Sequence, residues 1–397
     1  MNELTELLSE LVRVPSVGGT AQEAGIQTML ADWMRDEGLE VDLWELPLAK
    51  LTALPAFPGM EVPRDRAYGL VGRLPGTGGG QSLMFNGHVD VVPPGNLSAW
   101  ADDPFSGRVE GDRVYGRGAC DMKGGLVAAL LAVRELKRAR PRGDVLVACV
   151  VGEEDGGVGT YGLLERGWRA DACVIPEPTG LAVVPANAGA LTFRLRVTGS
   201  STHAARRTGG VSAVEKFLPV FAALRELEAD RNRDVDPLMR AWDTPYALEI
   251  GTVHAGDWSS SVPGELVAEG RYGVALDETP QQAKAALEAA VAAACAADPW
   301  LAEHPVTVEW WGGQFVPARN PNPALTDALV AATGVTPEQW GAPYGSDLRL
   351  LAAAGIPTVQ YGPGAIELAH APDEYVPISE VSAASATLAR LAATHCA

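Results

Sequence analysis

The chain has 397 residues, 47% of them apolar, with 31 basic against 50 acidic side chains and a formal charge of −19. Such a length suggests two or three domains, because one core rarely grows past about 250–300 residues. The acidity excludes nucleic acid and anionic membrane surfaces as partners, since both require basic surface. Along the chain, Leu4, Leu7, Leu8, Leu11 and Val12 recur at helical spacing and predict a helix over 2–13. A second helix covers 20–37 and stops at Gly38. Strands follow at 40–45 and 68–73. The glycine run 76–80 lacks the Lys-Ser/Thr of a phosphate-binding loop and reads as a hairpin turn. Residues 82–88 form a strand with a polar end, and a long Pro/Gly loop leads to a helix over 122–138 that opens at Asp121. Next come an apolar strand at 144–151, a helix at 159–166 and a strand at 172–175. Strands alternating with helices imply a mainly parallel sheet covered by helices.

After residue 187 the pattern changes. Residues 191–197 alternate like a half-exposed strand, followed by a helix at 211–228, strands near 246–253 and 265–275, a helix at 280–297 and a strand at 306–310. That order, βαββαβ, is a ferredoxin-like split unit. From 323 the chain returns to helix–strand alternation, with helices at 323–333 and 347–354 and a strand at 357–361. The expected organisation is therefore a large α/β domain, 1–187 and 314–397, interrupted by a small domain at 188–313.

The five cysteines, Cys120, Cys149, Cys173, Cys295 and Cys396, are odd in number and widely spaced. They argue against a disulfide framework or a cysteine zinc site and favour a reducing, cytoplasmic compartment. The acidic N-terminus has no signal-peptide pattern, and no run of 18 apolar residues suggests a membrane span.

In an open parallel sheet, ligands gather at the carboxyl ends of the strands. His88 and Asp90 follow the 82–87 strand, Asp121 opens a helix, and Glu153 and Glu154 follow the 144–151 strand. Glu177 follows the 172–175 strand, and His370 comes after the 357–361 strand. Taken singly, Asp121 reads as a helix N-cap, Glu153-Glu154 as solvated surface, and each histidine as structural. Taken together, histidines and carboxylates at one rim read as a metal site suited to zinc, cobalt or manganese.

The wording of the motifs is more specific. Gly87-His88-Val89-Asp90, Gly116-Arg117-Gly118-Ala119-Cys120-Asp121-Met122-Lys123-Gly124-Gly125, Glu153-Glu154, Pro176-Glu177-Pro178-Thr179 and Ala369-His370-Ala371-Pro372-Asp373-Glu374-Tyr375 follow one another along the chain. This set resembles the di-zinc metallopeptidase and amidohydrolase family of acetylornithine deacetylase, succinyl-diaminopimelate desuccinylase, aminoacylase and glutamate carboxypeptidase. Gly345-Ser346-Asp347-Leu348-Arg349 and Tyr361-Gly362-Pro363-Gly364 are most similar to the acetylornithine deacetylase branch.

The resemblance implies a zinc-peptidase-like catalytic domain with an inserted lid and dimerisation domain, in a homodimer. It implies two Zn2+ per chain, with Co2+ or Mn2+ as alternatives. Asp121 would bridge the metals, His88 and Glu177 would complete one ligand set, and Glu154 and His370 the other. Asp90 would accept the second N–H of His88 and orient its ring. Glu153 would be the general base for a metal-bridging water or hydroxide that attacks an amide carbonyl. His203 would stabilise the oxyanion, from the other subunit or after domain closure.

The implied substrate is an N-acyl amino acid or dipeptide, N-acetylornithine first. A desuccinylase, a dipeptidase or carboxypeptidase, a formyl-aminopyrimidine deformylase and an inactive small-molecule-binding relative are the alternatives. One departure concerns the family's substrate-carboxylate clamp. Ser260 stands where relatives have Asn, and Gly273 where they have Arg. Arg271 and Arg206 are the replacement candidates. Gly345 and Asp347 are further substrate-binding candidates, Asp347 for an amine unless it merely caps the 347–354 helix.

Overall fold

The computed structural model of the chain describes residues 3–397. In chain order, the elements used below are α1 (Glu3–Arg13), α2 (Ala21–Asp36), β1 (Glu40–Glu45), β2 (Tyr68–Leu74), β3 (Leu83–His88), α3 (Gly124–Leu136), β4 (Val145–Val150), α4 (Val158–Arg166) and β5 (Ala172–Ile175). Then follow β6 (Gly189–Thr198), α5 (Ala213–Arg231), β7 (Leu248–Ala255), β8 (Glu265–Val274), α6 (Pro280–Ala297), β9 (Thr307–Phe315), α7 (Pro323–Thr333), α8 (Leu348–Ala353), β10 (Thr358–Gln360) and α9 (Ile378–His395).

The chain divides into two units. The first runs to Ala186 and takes in Arg319–Trp340 and Ser346–Ala397. Its six-stranded sheet has the order β1-β2-β4-β3-β5-β10. The β4, β3, β5 and β10 neighbours are parallel, and β2 pairs antiparallel with both β1 and β4. Every residue of β3, β4 and β5 is buried, which accounts for the unbroken apolar runs of β4 and β5 and the apolar start of β3. Helix α3 packs on β3, β4 and α9, while α2 packs on β1 and β2. Glycine makes one of these contacts possible: a Cβ at Gly125 would lie 1.7 Å from the Pro176 carbonyl oxygen. That approach brings the start of α3 against the segment carrying Glu177.

The second unit comprises Asn187–Ala318 and Gly341–Gly345. Its antiparallel sheet has the order β7-β8-β6-β9, the 4-1-3-2 arrangement of a split βαββαβ unit read from β9 inward. One side of the sheet builds a core with α5 and α6 from Phe193, Leu195, Leu266, Tyr272, Leu224 and Leu287.

The boundary at 313 falls inside β9, which continues through a register shift between Trp310 and Gln314 to Phe315. Residues 341–345 belong with this unit because Gly345 is pressed onto Phe315, whose Cβ is 2.5 Å from where a glycine-replacing Cβ would stand. No helix among the described residues is long and apolar enough to cross a membrane.

Candidate metal centre

Strand β3 ends at His88, and the chain then turns so that Asp90 faces back. His88 Nδ1 lies 2.9 Å from the backbone carbonyl oxygen of Asp90 and 3.7 Å from its carboxylate. The ring is thus oriented mainly by main chain, which corrects the role expected for the Asp90 side chain. That carboxylate instead accepts the backbone N–H groups of Glu153 (3.3 Å) and Glu154 (3.2 Å). The carbonyl thus takes the imidazole, and the carboxylate reaches across to the loop after β4.

Asp121 does not cap a helix. It has extended angles, φ −113° and ψ 98°, in an irregular turn at 119–123, and α3 begins only at Gly124. Its Oδ1 lies 3.1 Å from His88 Nε2, and its Oδ2 lies 3.6 Å from His370 Nε2. His370 Nε2 is also 3.1 Å from Glu154 Oε2. His88, Asp121 and Glu154 each offer a ligand atom within 4.8 Å of the others, as do His88, Glu153 and Glu177. All five expected metal ligands and Glu153 therefore converge. His88 is 1% exposed, Glu177 4% and Glu153 8%. The side chain of His370 remains 52% exposed, at the open edge of the cluster.

A buried group of carboxylates requires compensation. Burial, reinforced by Asp347 and Glu177, holds Glu153 well above the usual carboxylate range. Burial, reinforced by Asp121, does the same for Glu177. Glu154 pushes His370 up to about 9. His88 is raised despite its burial, because Asp121 and Asp90 outweigh it. Two acids and two imidazoles are thus driven toward their protonated forms, a compensation that divalent cations supply equally well. The mixed imidazole and carboxylate donor set, at these separations, fits two ions of the zinc, cobalt or manganese type.

Two residues without an assigned role in the sequence reading hold this arrangement. Glu374 Oε1 accepts the backbone N–H groups of Cys120 (2.9 Å) and Asp121 (3.0 Å). Its Oε2 accepts Arg117 Nη1 at 2.5 Å, and Arg117 Nη2 donates to the His370 carbonyl at 3.0 Å. One buried ion pair thereby fixes both the Asp121 turn and the His370 turn, where His370 has a left-handed φ of 62°. Both residues lie inside the 116–125 and 369–375 motifs, and their burial is what sequence does not disclose.

Other expected site residues lie elsewhere. Asp347 is 1% exposed and its side chain makes no capping bond to α8, so it does not act as that helix's side-chain cap. Its nearest cation is Arg349, at 3.6 Å. His203, Arg206, Ser260, Arg271 and Gly345 belong to the second unit. His203, Arg206 and Ser260 are exposed. His203 Nδ1 accepts the N–H of Ala205 at 3.1 Å, leaving the ring proton of the neutral form on Nε2. Arg271 Nη2 donates to the Pro343 carbonyl at 2.9 Å. At Gly273 a Cβ would meet the Tyr246 backbone at 2.8 Å, so no arginine fits there.

The family model for peptidase family M20/M25/M40 matches residues 84–394, a span holding every member of this cluster. The chain belongs to peptidase family M20/M25/M40. Similar curated proteins include a succinyl-diaminopimelate desuccinylase from Stenotrophomonas maltophilia, 29% identical over 98% of both chains. Another is an N-formyl-4-amino-5-aminomethyl-2-methylpyrimidine deformylase from Bacillus subtilis, 27% identical over 96% of this chain and 91% of that protein. Among solved structures, an M20 metallo-carboxypeptidase from Sulfolobus solfataricus has the same fold, with TM-score 0.76 and 18% identity over 100% of this chain and 99% of its own. A Staphylococcus aureus tripeptidase does so at 0.74 and 21%, over 99% and 98%. As an M20 member the chain is a metal-dependent hydrolase of amide bonds.

Proposed function

We propose that this M20 enzyme is a dinuclear zinc amidohydrolase that removes a short acyl group from the nitrogen of an amino-acid-like metabolite. The observation that carries the proposal is Asp121, one carboxylate oxygen toward His88 and the other toward His370, beside a buried Glu153. His88, Glu177 and Asp121 would hold one ion, and Asp121, Glu154 and His370 the other. When bound, the ions polarise an amide carbonyl and make water acidic enough to attack near neutral pH. Glu153 takes the proton from that water on its carboxylate and delivers it to the departing amine nitrogen. Asp90 fixes the backbone of Glu153 and Glu154, and Glu374 fixes that of Asp121.

The motif resemblance favours N-acetylornithine as substrate, while the full-length relatives named above act on succinyl and formyl amides. The shared chemistry is a short N-acyl group. The test is hydrolysis by metal-loaded enzyme across N-acetyl, N-succinyl and N-formyl amino acids and dipeptides. Deacylation of one acyl class well above the dipeptides supports the proposal; dipeptides as the only substrates would replace it with a peptidase.

His203, presenting Nε2–H, is the proposed oxyanion donor. His203→Ala is expected to lower kcat about 10²–10³-fold, as loss of one such donor does. A homodimer through the second unit is part of the proposal. The outer edge of β7 has no strand partner among the described residues, and Val253, Trp258, Val214 and Leu218 are exposed nearby on β7, its following turn and α5. If His203 acts across the dimer, mixing His203→Ala with Glu153→Ala protein restores activity; verified subunit exchange without recovery excludes that arrangement. Five buried, unpaired cysteines support a cytoplasmic location.

A further inference from the structure

The loop from Gly152 to Gly157 carries both Glu153 and Glu154, and three distant segments grip it. Asp90 holds its first two acidic residues by their N–H groups. Arg349 Nη2 donates to the Gly156 carbonyl at 2.7 Å while its Nη1 donates to the Ser346 carbonyl at 2.9 Å. The third grip is a buried charge triad. Arg64 Nη1 lies 2.8 Å from Asp155 Oδ2, and its Nε and Nη2 form a fork on Glu23, with Nε 2.9 Å from Oε2 and Nη2 2.9 Å from Oε1. The side chains of Arg64 and Glu23 are 0% and 1% exposed, and that of Asp155 7%.

The fit around the guanidinium is close on both sides. A Cβ on Gly152 would stand 3.1 Å from Arg64 Cζ, and one on Gly18 3.2 Å from Nη2. Gly152 also has φ 66°, so the loop can leave β4 directly over Arg64. Asp155 Oδ2 accepts the N–H groups of Glu61 (3.1 Å) and Val62 (2.7 Å) as well, so the 61–64 segment and the loop are joined twice. Glu23 in turn accepts the Gly19 N–H at 2.8 Å and lies on the buried face of α2 with Ile26, Gln27 and Leu30.

Apolar residues of similar volume commonly stabilise a core as well as a buried ion triad does. What the triad adds is direction: a planar fork fixes three segments at defined angles. We propose that Arg64, with Glu23 and Asp155, is a positioning device that aims Glu153 and Glu154. Asp155 transmits the position of Arg64 to the catalytic loop two residues from the base. The proposal rests on the amide-hydrolase reading for its kinetic consequence and on loop geometry alone for its structural one.

Asp155→Asn keeps the shape and drops the charge, leaving the Arg64–Glu23 fork in place. It is expected to lower kcat about 10–100-fold with KM within about twofold, since a displacement of about 1 Å at the reacting groups costs that much. Metal content stays at the parental level. Hydrogen exchange of the 152–157 amides is expected to speed up at least about tenfold, with the first unit unchanged outside this loop and the 61–64 segment that Asp155 also holds. Glu278→Gln, which cuts the partly buried Arg231–Glu278 pair of the second unit, controls for general destabilisation and should keep kcat within about twofold.

Parental kcat per metal-loaded chain and parental exchange at 152–157 in Asp155→Asn overturn the proposal. So does a kcat loss that merely tracks the unfolded fraction. If Asp155→Asn does not accumulate folded, Arg64→Lys replaces it, because a point charge cannot hold both acids, and the same readouts decide. A parent inactive on every amide tested overturns the functional reading, while the exchange measurement still decides the clamp.

Discussion

Replacing Glu153 by alanine or glutamine is expected to cut turnover steeply and to leave the bound metal where it was. The expected loss in kcat is about 10²–10⁴-fold, the contribution of a positioned general acid–base group, equivalent to about 3–5 kcal/mol of barrier. Glu153 neighbours the ligands His88 and Glu177 yet belongs to neither proposed bridging contact of Asp121, so its removal leaves both ligand sets intact. It is 8% exposed, and burial raises its affinity for a proton, which makes it a stronger base once bound cations hold it ionised. For the same reason the fold loses little with it. Thermal unfolding of the metal-free variant should come at or above the parental temperature, because an acid crowded by Asp347 and Glu177 has been removed. Normal kcat in either variant would remove Glu153 from the base position.

Asp121→Asn is expected to have a different signature, loss of metal and activity together. Its two oxygens face His88 and His370 separately, so one substitution weakens both sites. Outer-shell changes alone cost about 10–100-fold in metal affinity, and loss of a shared ligand exceeds that. Dialysed Asp121→Asn protein should retain fewer than one ion per chain, whereas His370→Ala, which alters the half-exposed edge of the cluster, should retain about one. Equal metal loss in both variants would argue that the ions bind as one cooperative pair.

Much of this was legible in the sequence because local signals are strong where they occur. Thr279 and Gln282 form a reciprocal capping box with Pro280 at the first helical position, and α6 spans 280–297 as expected. Asn322, Pro323 and a left-handed Gly334 bracket α7 in the same way. The unbroken apolar strands placed the polar residues after them at one rim, which is why the ligand set could be named. What sequence did not disclose depends on contacts between distant segments. Asp121 reads as a helix cap until the Glu374 carboxylate is seen holding its backbone N–H. Asp90 and Asp347 stood in the right neighbourhood, but their partners were set by chain reversal and burial. The Arg64 triad joins residues 23, 64 and 155, and only Glu23 left a trace, as a charged residue on the apolar face of a predicted helix. The end of the inserted unit is hard to read from sequence because β9 continues through an irregular Trp-Trp-Gly-Gly stretch without clean alternation.

The central claim is that one cluster holds two ions and uses them on amides. The most direct measurement is metal analysis of the purified chain together with N-acyl amino acid hydrolysis as Zn2+ or Co2+ is added back to the stripped protein. The account predicts about two ions per chain, with activity lost on stripping and regained as they return, and with Asp121→Asn unable to regain it. Hydrolysis that persists at full rate in metal-free protein, or a folded chain that binds no divalent ion, would contradict it.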